Sequence, residues 1–586
     1  ATLAPQTAWI SSAAGEEVTF DLGETRTFRI TYYGGISSTS FEVQHSEDGE
    51  IWSDPYLAVY NQGEIFRWLW YVPSERTTDD RGRTSFTPVY ADGYDRQLNP
   101  FPMLTARYVR ITAERPGLVL HEIAFIDGKS APYPILSVAQ SGQNDEIAKP
   151  AELLTDEQYT VPVHPSFYNG TYFDEIYHAR TAYEFLHNMR PYETTHPPLG
   201  KVFIMFGIQL MGMTPFAWRF MGTLTGVLML PALYLIIKQL FKRTDMAAVG
   251  AFLFAVDAMH FTQTRIATID SYGVFFILLM FLFMFRYCQM NFHIDKLWKT
   301  LVPLFFAGFF MGVGIASKWI VIYAAVGLAV LLFFTLGRRL IEYRHARRSG
   351  ENGDGVNIDH FYRNLLITLG ACVVFFVVIP AITYYFSYYW HLRPSGGLSV
   401  QAVIEEQRHM FSYHSSLQEP HSFESPWYEW PLIIKPMWFY SGRDFMPEGY
   451  VSSISCMGNP AVWWGGLAAL IAVGIRFLYQ WIAKREFERT SFYVLLGFAA
   501  QYVPWMLVPR SMFIYHYFAS VPFIIICTTM VFNWLRKQKF WWYKGALYTF
   551  LAAALVLFIM FYPLMSGTPI PRDYAMLLRW FRWYNF

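Results

Sequence analysis

The sequence predicts a polytopic α-helical membrane protein with an N-terminal all-β domain, and three observations lead to it. Apolar runs of about 17 to 25 residues recur from Pro215 onward, each long enough to cross a hydrocarbon layer of roughly 30 Å as a helix. Residues 1–160 are instead polar, rich in turn formers and alternating in hydrophobicity. Charged residues supply only 16% of the chain and hydrophobic ones 53%, against about 25% charged in ordinary soluble domains. A net charge of +1 over 586 residues gives no basic surface that would suit nucleic acid.

In residues 1–128 the stretches "EVTFDLG", "TFRITYY", "SFEVQHS" and "YVRITAE" alternate with period two between turn residues, the pattern of an antiparallel β-sandwich. The pieces "FEVQHSEDGEIW", "ARYVRITA" and "HEIAFID" resemble the discoidin (F5/8 type C) jelly roll. Relatives of that domain bind sugars or membranes through loops at one end, which implies a sugar ligand here; a spacer or docking surface is the alternative. Trp68, Trp70 and Tyr71 suit either a stacking platform or a core. Residues 129–165, with scattered Pro, Gly, Ser and Gln, read as a linker to a membrane domain over 166–586.

Candidate spans in that domain are 217–237, 246–262, 272–289, 301–316, 319–336, 362–388, 460–481, 491–508, 513–534 and 545–563. Basic loops set their orientation. Lys238, Lys242 and Arg243, then Arg338, Arg339, Arg344, Arg347 and Arg348, then Lys484, Arg485 and Arg489, then Arg536, Lys537 and Lys539 all fall on one side under strict alternation. That side is expected to be cytoplasmic. The β domain, the long loop 389–459 and the C-terminal tail then face outward. An exported N-terminal domain needs a preceding signal or span, so one further N-terminal span is expected, about eleven in all.

Charge concentrates at the outward ends of these spans. Residues 173–189 read as an interfacial amphipathic helix that places Asp174, Tyr177, His178 and Thr181 on one face, with Glu175 about 100° away. "HPPLGK" follows, with His196 before two prolines and Lys201 opening an apolar stretch. Arg219, Asp257, Arg265, Asp270, Lys318, Arg510 and His516 recur at the same membrane level. Ionisable groups at that depth are expensive and mark either a site or a structural ion pair; for Asp257, Asp270 and Lys318 both readings stand open. Several cations around one prominent acid suit a lipid-linked phosphate beside a general base. The spacing of His409, His414 and His421 matches no zinc pattern, and Cys288, Cys372, Cys456 and Cys527 form no CxxC pair, so no metal is expected.

The motifs "FDEIYHARTAYE", "HPPLGK", "DAMHFTQTRIATIDS", "GVGIASKW", "HSFESPWYEWPL" and "YHYF" resemble, in order, those of protein O-mannosyltransferases of the GT-C superfamily, over residues 171–535. The resemblance implies an inverting enzyme without cofactor. It would move mannose from a polyprenyl-phosphate-mannose lipid to Ser or Thr hydroxyls of exported proteins. It assigns the general base to Asp174 and the donor phosphate to Arg219, with Arg265, Lys201, His196, Arg510 and His516 as further contacts. Glu175, Trp427 and Trp430 would meet the acceptor. Eukaryotic members hold a β-trefoil in the long outer loop; residues 389–459 are too few for one, and a discoidin-like domain stands before the acidic motif instead. Both departures imply a bacterial branch, hence a bacterial plasma membrane with an extracytoplasmic site. Three readings compete: a same-fold transferase of another lipid-linked sugar, to protein or glycolipid; a sugar-binding transporter; and a membrane-anchored adhesin. The transporter would place ionisable sites near the midplane between inverted repeats, and the chain shows no such repeat. The adhesin would need only one or two spans.

Overall fold

The computed structural model describes residues 3–37, 40–59, 65–78, 84–90, 101–127, 132–349, 358–416, 421–442, 446–582 and 584. The chain divides into two compact units, the first built on Ala1–Arg180 with Ile208–Trp218, the second on Thr181–Gly207, Arg219–Ser441 and Met446–Phe586.

The expected β fold forms in the first unit, where every described strand pairing is antiparallel. Strand Glu17–Gly34, 18 residues long, organises it by serving two sheets. Its N-terminal half pairs with Leu104–Ala113 and Ser137–Ser141, its C-terminal half with Val119–Ile126 and Trp68–Trp70. The register slips between Asp21 and Arg26, where Gly23 takes a φ of +79° that an L side chain rarely adopts. Alternation buries Val18, Phe20, Leu22, Phe28 and Ile30, and Phe125 meets Phe20 and Phe28 edge-on with ring centres 5.5 and 5.2 Å apart.

In this unit one open reading closes and one expectation changes. Trp68 and Tyr71 are core side chains, and Trp70 stacks on Phe101 at 5.5 Å, so the three do not form an open platform. The described part of the expected linker, residues 132–165, does not run free. Ser137–Ser141 is a strand of the sheet, and the turns Ala151–Leu154 and Gln158–Thr160 bury Ala151, Leu154 and Thr160. Loose composition hid a segment held by hydrogen bonds rather than by apolar periodicity.

Among the described residues of the second unit, eight helices are long and apolar enough to cross a membrane. They are Pro215–Phe241, Asp270–Gln289, Leu297–Ser317, Val321–Arg348, Phe361–Ser395, Pro460–Ala483, Ile514–Lys537 and Tyr543–Ser566. The expected span at 246–262 is broken: Thr244–Ala255 and Ala258–Thr264 meet at 62°. The break is built around Asp257, whose carboxylate caps the second piece by accepting from His260 N at 3.1 Å, and also accepts from Asn459 N at 3.2 Å and Trp463 Nε1 at 2.9 Å. Asn459 Nδ2 in turn donates to the carbonyls of Val256 and Ala554, each at 2.8 Å. Asp257 is therefore structural. The span expected at 491–508 is also different: Arg489–Tyr502 is helical for 14 residues, about 21 Å of rise, before a 3-10 turn containing Pro504. Small residues let helices approach closely elsewhere. A Cβ on Gly308 would lie 2.2 Å from the Phe375 carbonyl oxygen, and one on Gly312 2.8 Å from Pro380 Cα.

Three acids tie the first unit's ends together. Glu157 Oε2 accepts from the amides of Gln6 and Thr7 at 2.7 and 2.9 Å, while Glu122 accepts from Glu157 N at 3.1 Å and Gln158 Nε2 at 2.5 Å. Oxygens of Glu122, Asp156 and Glu157 all lie within 4.8 Å of one another. Burial, helped by the neighbouring acids, pushes the Glu122 carboxyl up to about 9, and burial lowers His121 beside it to about 4. The folded state thus binds a proton at Glu122 that the unfolded state releases near its ordinary value of 4.5, so stability falls as pH rises from there toward 9. His121 acts oppositely, but only between about 4 and its ordinary 6.5, which leaves Glu122 alone above 6.5. Thermal unfolding of this unit should therefore begin at a lower temperature at pH 8.5 than at pH 6.5. Glu122→Gln should flatten that slope in a differential scanning measurement.

Candidate active site

The acidic segment forms the expected helix, two residues shorter at its start and three at its end. Helix Glu175–Leu186 begins immediately after Asp174, whose carbonyl accepts from Tyr177 N and His178 N, each at 3.1 Å. Asp174 is half-buried. Glu175 is fully buried and accepts from Tyr172 N at 3.2 Å, so it fastens the turn that presents Asp174. The expectation that Glu175 meets an acceptor is corrected on that ground: a side chain with no exposed surface cannot reach it. Asn188, at φ +56°, closes the helix.

From there the chain makes a loop that the helix itself anchors. Tyr192 N donates to the Glu184 carboxylate at 2.6 Å and Glu193 N to Thr181 Oγ1 at 3.1 Å. Glu193 then gathers the loop. Its carboxylate takes Thr195 N at 2.7 Å and His196 Nδ1 at 3.0 Å, and forms a buried ion pair with Lys201. Lys201 is fully buried, and its other donors go to the carbonyls of Glu193 and His196, each at 3.0 Å. All three ammonium donors are engaged inside the loop. Lys201 therefore shapes the site and adds to its field rather than gripping a phosphate directly, which corrects its expected role. Pro197 and Pro198 lead into helix Leu199–Met211, where the missing N–H of proline is no loss. Gly200 is required by close approach, since a Cβ there would lie 2.7 Å from Ile269 Cγ2.

That approach brings the loop beside a second ion pair, Lys318 with Asp270 at 2.5 Å, which joins the ends of helices Leu297–Ser317 and Asp270–Gln289. Two groups arrive from later in the chain. His414, near the end of helix Val400–Ser416 in the long loop 389–459, has its Nε2 2.7 Å from the Thr195 carbonyl and its ring centre 5.1 Å from that of His196. Arg510 donates to His414 Nδ1 at 2.9 Å. His409, one turn and a half earlier, meets Thr194 Oγ1 at 3.1 Å. Burial lowers His196, despite Glu193, and burial followed by the His196 and Arg510 charges lowers His414 to about 4. Both imidazoles are neutral at pH 7. Lys201 and Lys318 are paired with Glu193 and Asp270, whereas Arg510 has no carboxylate paired with it among the described residues, which suits this cation to a phosphate.

Of the other expected residues, Arg219 stands half-buried in the first turns of helix Pro215–Phe241. Arg265 donates to the Met565 carbonyl at 3.0 Å and lies 5.3 Å from the Phe261 ring centre. His516 is buried, with Nδ1 3.0 Å from the Phe513 backbone and its ring centre 4.3 Å from that of Trp505. It closes a turn inside an aromatic cluster, which corrects its expected donor contact. Trp430 is equally buried and donates to the Ser425 carbonyl at 3.1 Å, so it too is core and not an acceptor contact. Trp427 is half-buried and keeps an exposed edge. Glu193 and His414 were not singled out for this site by sequence reasoning. A buried lysine at a membrane border demands an acid, and that demand was the available signal for Glu193.

The helical unit has the fold of a membrane-embedded GT-C glycosyltransferase. The chain superposes on the yeast (Saccharomyces cerevisiae) protein O-mannosyltransferase Pmt1–Pmt2 complex bound to the sugar donor with a TM-score of 0.61 at 14% identity, over 70% of this chain and 89% of that one. The family described as dolichyl-phosphate-mannose-protein mannosyltransferase matches residues 195–348, and the C-terminal four-transmembrane region of protein O-mannosyltransferase matches 399–584. The chain belongs to the protein O-mannosyltransferase family. The polyprenol-phosphate-mannose–protein mannosyltransferase of Mycolicibacterium smegmatis is 24% identical over 70% of this chain and 86% of its own length. That of Corynebacterium glutamicum is 26% identical over 66% and 80%.

The buried pair makes a stability test. Glu193→Gln leaves the Lys201 ammonium without its counter-charge and should cost about 3–5 kcal/mol. A Glu193→Gln, Lys201→Met double variant should recover most of the lost thermal midpoint in detergent.

Proposed function

We propose that the protein transfers mannose from polyprenyl-phosphate-mannose to Ser or Thr hydroxyls of exported proteins, with inversion, on the outer face of a bacterial plasma membrane. The observation that carries this reading is the gathering of Lys201, Lys318 and Arg510 around the 193–201 loop, Arg510 with no paired carboxylate among the described residues, in a chain of this family. A sugar phosphodiester has one negative charge, and the lipid phosphate it leaves behind has two. A site holding Arg510, Lys318 and Lys201 stabilises that developing charge more than the ground state, which lowers the barrier.

The reaction is one displacement. The acceptor oxygen forms its bond to the anomeric carbon as the bond from that carbon to phosphate oxygen breaks. The acceptor proton passes to the Asp174 carboxylate, and the phosphate departs unprotonated. No acid is needed because phosphate is a good leaving group, unlike the alcohols expelled by glycosidases. Asp174 suits the base because it is half-buried at a helix start and its neighbour Glu175 is committed to the backbone. Arg219 adds a donor-phosphate contact. The half-buried Trp427 offers the acceptor an aromatic edge. The outer-face assignment rests on the four basic loops, and the N-terminal β unit is a candidate for holding sugar chains of acceptors.

An assay with polyprenyl-phosphate-mannose and a Ser/Thr-rich peptide tests the reading. Asp174→Asn should lower turnover at least about 100-fold with donor affinity preserved; a rate near wild type removes Asp174 as base. Arg219→Ala should raise the donor KM about tenfold or more. If another lipid-linked sugar is used faster than mannose, the donor assignment is wrong.

A further inference from the structure

We propose that His414 is a positioning residue for transfer: its Nδ1 holds the Arg510 guanidinium in the orientation from which Arg510 meets the donor phosphate. This deepens the function proposed above and rests on it.

The argument starts from the two bonds the imidazole makes. Nε2 lies 2.7 Å from the Thr195 carbonyl, which can only accept, so Nε2 bears the hydrogen. In a neutral ring Nδ1 is then an acceptor, and a guanidinium, which has donors only, lies 2.9 Å from it. The pair of bonds fixes tautomer and ring plane together. A protonated ring would offer Arg510 a second donor and a like charge. The surroundings hold the ring neutral: His196 lies 5.1 Å away ring to ring, and Trp319 covers it at 6.1 Å. Arg510 lies just beyond the 3-10 turn Val503–Leu507, where no helix fixes its direction. One of its five donors goes to His414, and the planar fork makes that single bond set the direction of the others. Among the described residues no carboxylate is paired with Arg510, so its charge is not cancelled by a neighbouring acid. A histidine, unlike an acid, steers the arginine without cancelling the charge that a phosphate needs.

The competing role is mechanical, with Nε2 merely fastening the outer-loop helix to Thr195. Two near-isosteres separate the roles. The Asn side-chain oxygen falls near the Nδ1 position and keeps an acceptor for Arg510 while losing the bond to Thr195. The Gln amide reaches the Nε2 position, keeping the bond to Thr195 while losing the acceptor. In full-length protein, steady-state transfer from polyprenyl-phosphate-mannose would be measured for both, with equilibrium binding of polyprenyl phosphate alongside. His414→Gln should raise the donor KM about tenfold, the scale of one hydrogen bond to a charged group, with kcat within about threefold. His414→Asn should stay within about threefold of wild type in both. On an Arg510→Ala background, His414→Gln should change nothing further. The reverse ranking, with Asn damaging and Gln benign, overturns the proposal in favour of fastening. Wild-type behaviour of both, or an independent added loss on Arg510→Ala, overturns it as well. If His414→Gln does not fold, Arg510→Lys, which keeps the charge but lacks the fork, takes its place: a similar KM rise is expected, and a wild-type KM overturns the idea. Polyprenyl phosphate binding that depends on Arg510 and His414 without any mannosyl transfer would sink the proposed function and leave the positioning intact.

Discussion

The Lys201 ammonium, fully buried at the edge of the membrane unit, is the constraint on which the rest of the site depends. A charge in that place is intolerable unless every donor is met and a counter-charge stands beside it. Glu193 supplies the counter-charge, and the carbonyls of Glu193 and His196 meet the other donors. Those demands fold residues 193–201 into one shape. That shape offers the Thr195 carbonyl to His414, and through His414 it reaches Arg510. Loop geometry, the attachment of helix Val400–Ser416 and the bond to a distant arginine are all linked to satisfying one ammonium.

The site therefore separates two uses of positive charge. Lys201 and Lys318 are each paired with an acid and act mainly by field and by shape. Arg510 donates to a neutral histidine and is paired with no carboxylate among the described residues. Such a division suits a reaction whose product is more negative than its substrate. Neutral His196 and His414 add donors and acceptors without adding a charge that would change with pH near neutrality.

Much of this was legible in the sequence because its causes are local. Apolar runs gave the spans, period-two alternation gave the β unit, and "HPPLGK" gave a turn followed by a helix. What was hidden depends on partners remote in the chain. Lys201 looked like a phosphate ligand until Glu193 and two carbonyls closed around it. Trp430 and His516 looked like binding groups because aromatics and histidines near an interface often are, yet both lie inside one aromatic cluster. Residues 491–508 have the hydropathy of a span, but Pro504 ends the regular helix early. Residues 129–165 have the composition of a linker, but Glu122 and Glu157 tether them by hydrogen bonds that no periodicity announces.

The broken helix at Asp257 bears on how the chain is assembled. Its carboxylate is completed by Asn459 and Trp463, and Asn459 is itself completed by the carbonyl of Ala554 in the last long helix. During synthesis these partners emerge roughly 200 and 300 residues after the break, while the polar bend is already at the bilayer. Until those partners arrive, the bend at Asp257 keeps hydrogen-bonding groups unmet that the hydrocarbon layer cannot satisfy. A chain cut short before residue 554 would leave the buried Asn459 side-chain amide without one of its two acceptors. Quality control can read that exposed polarity as the mark of an unfinished molecule.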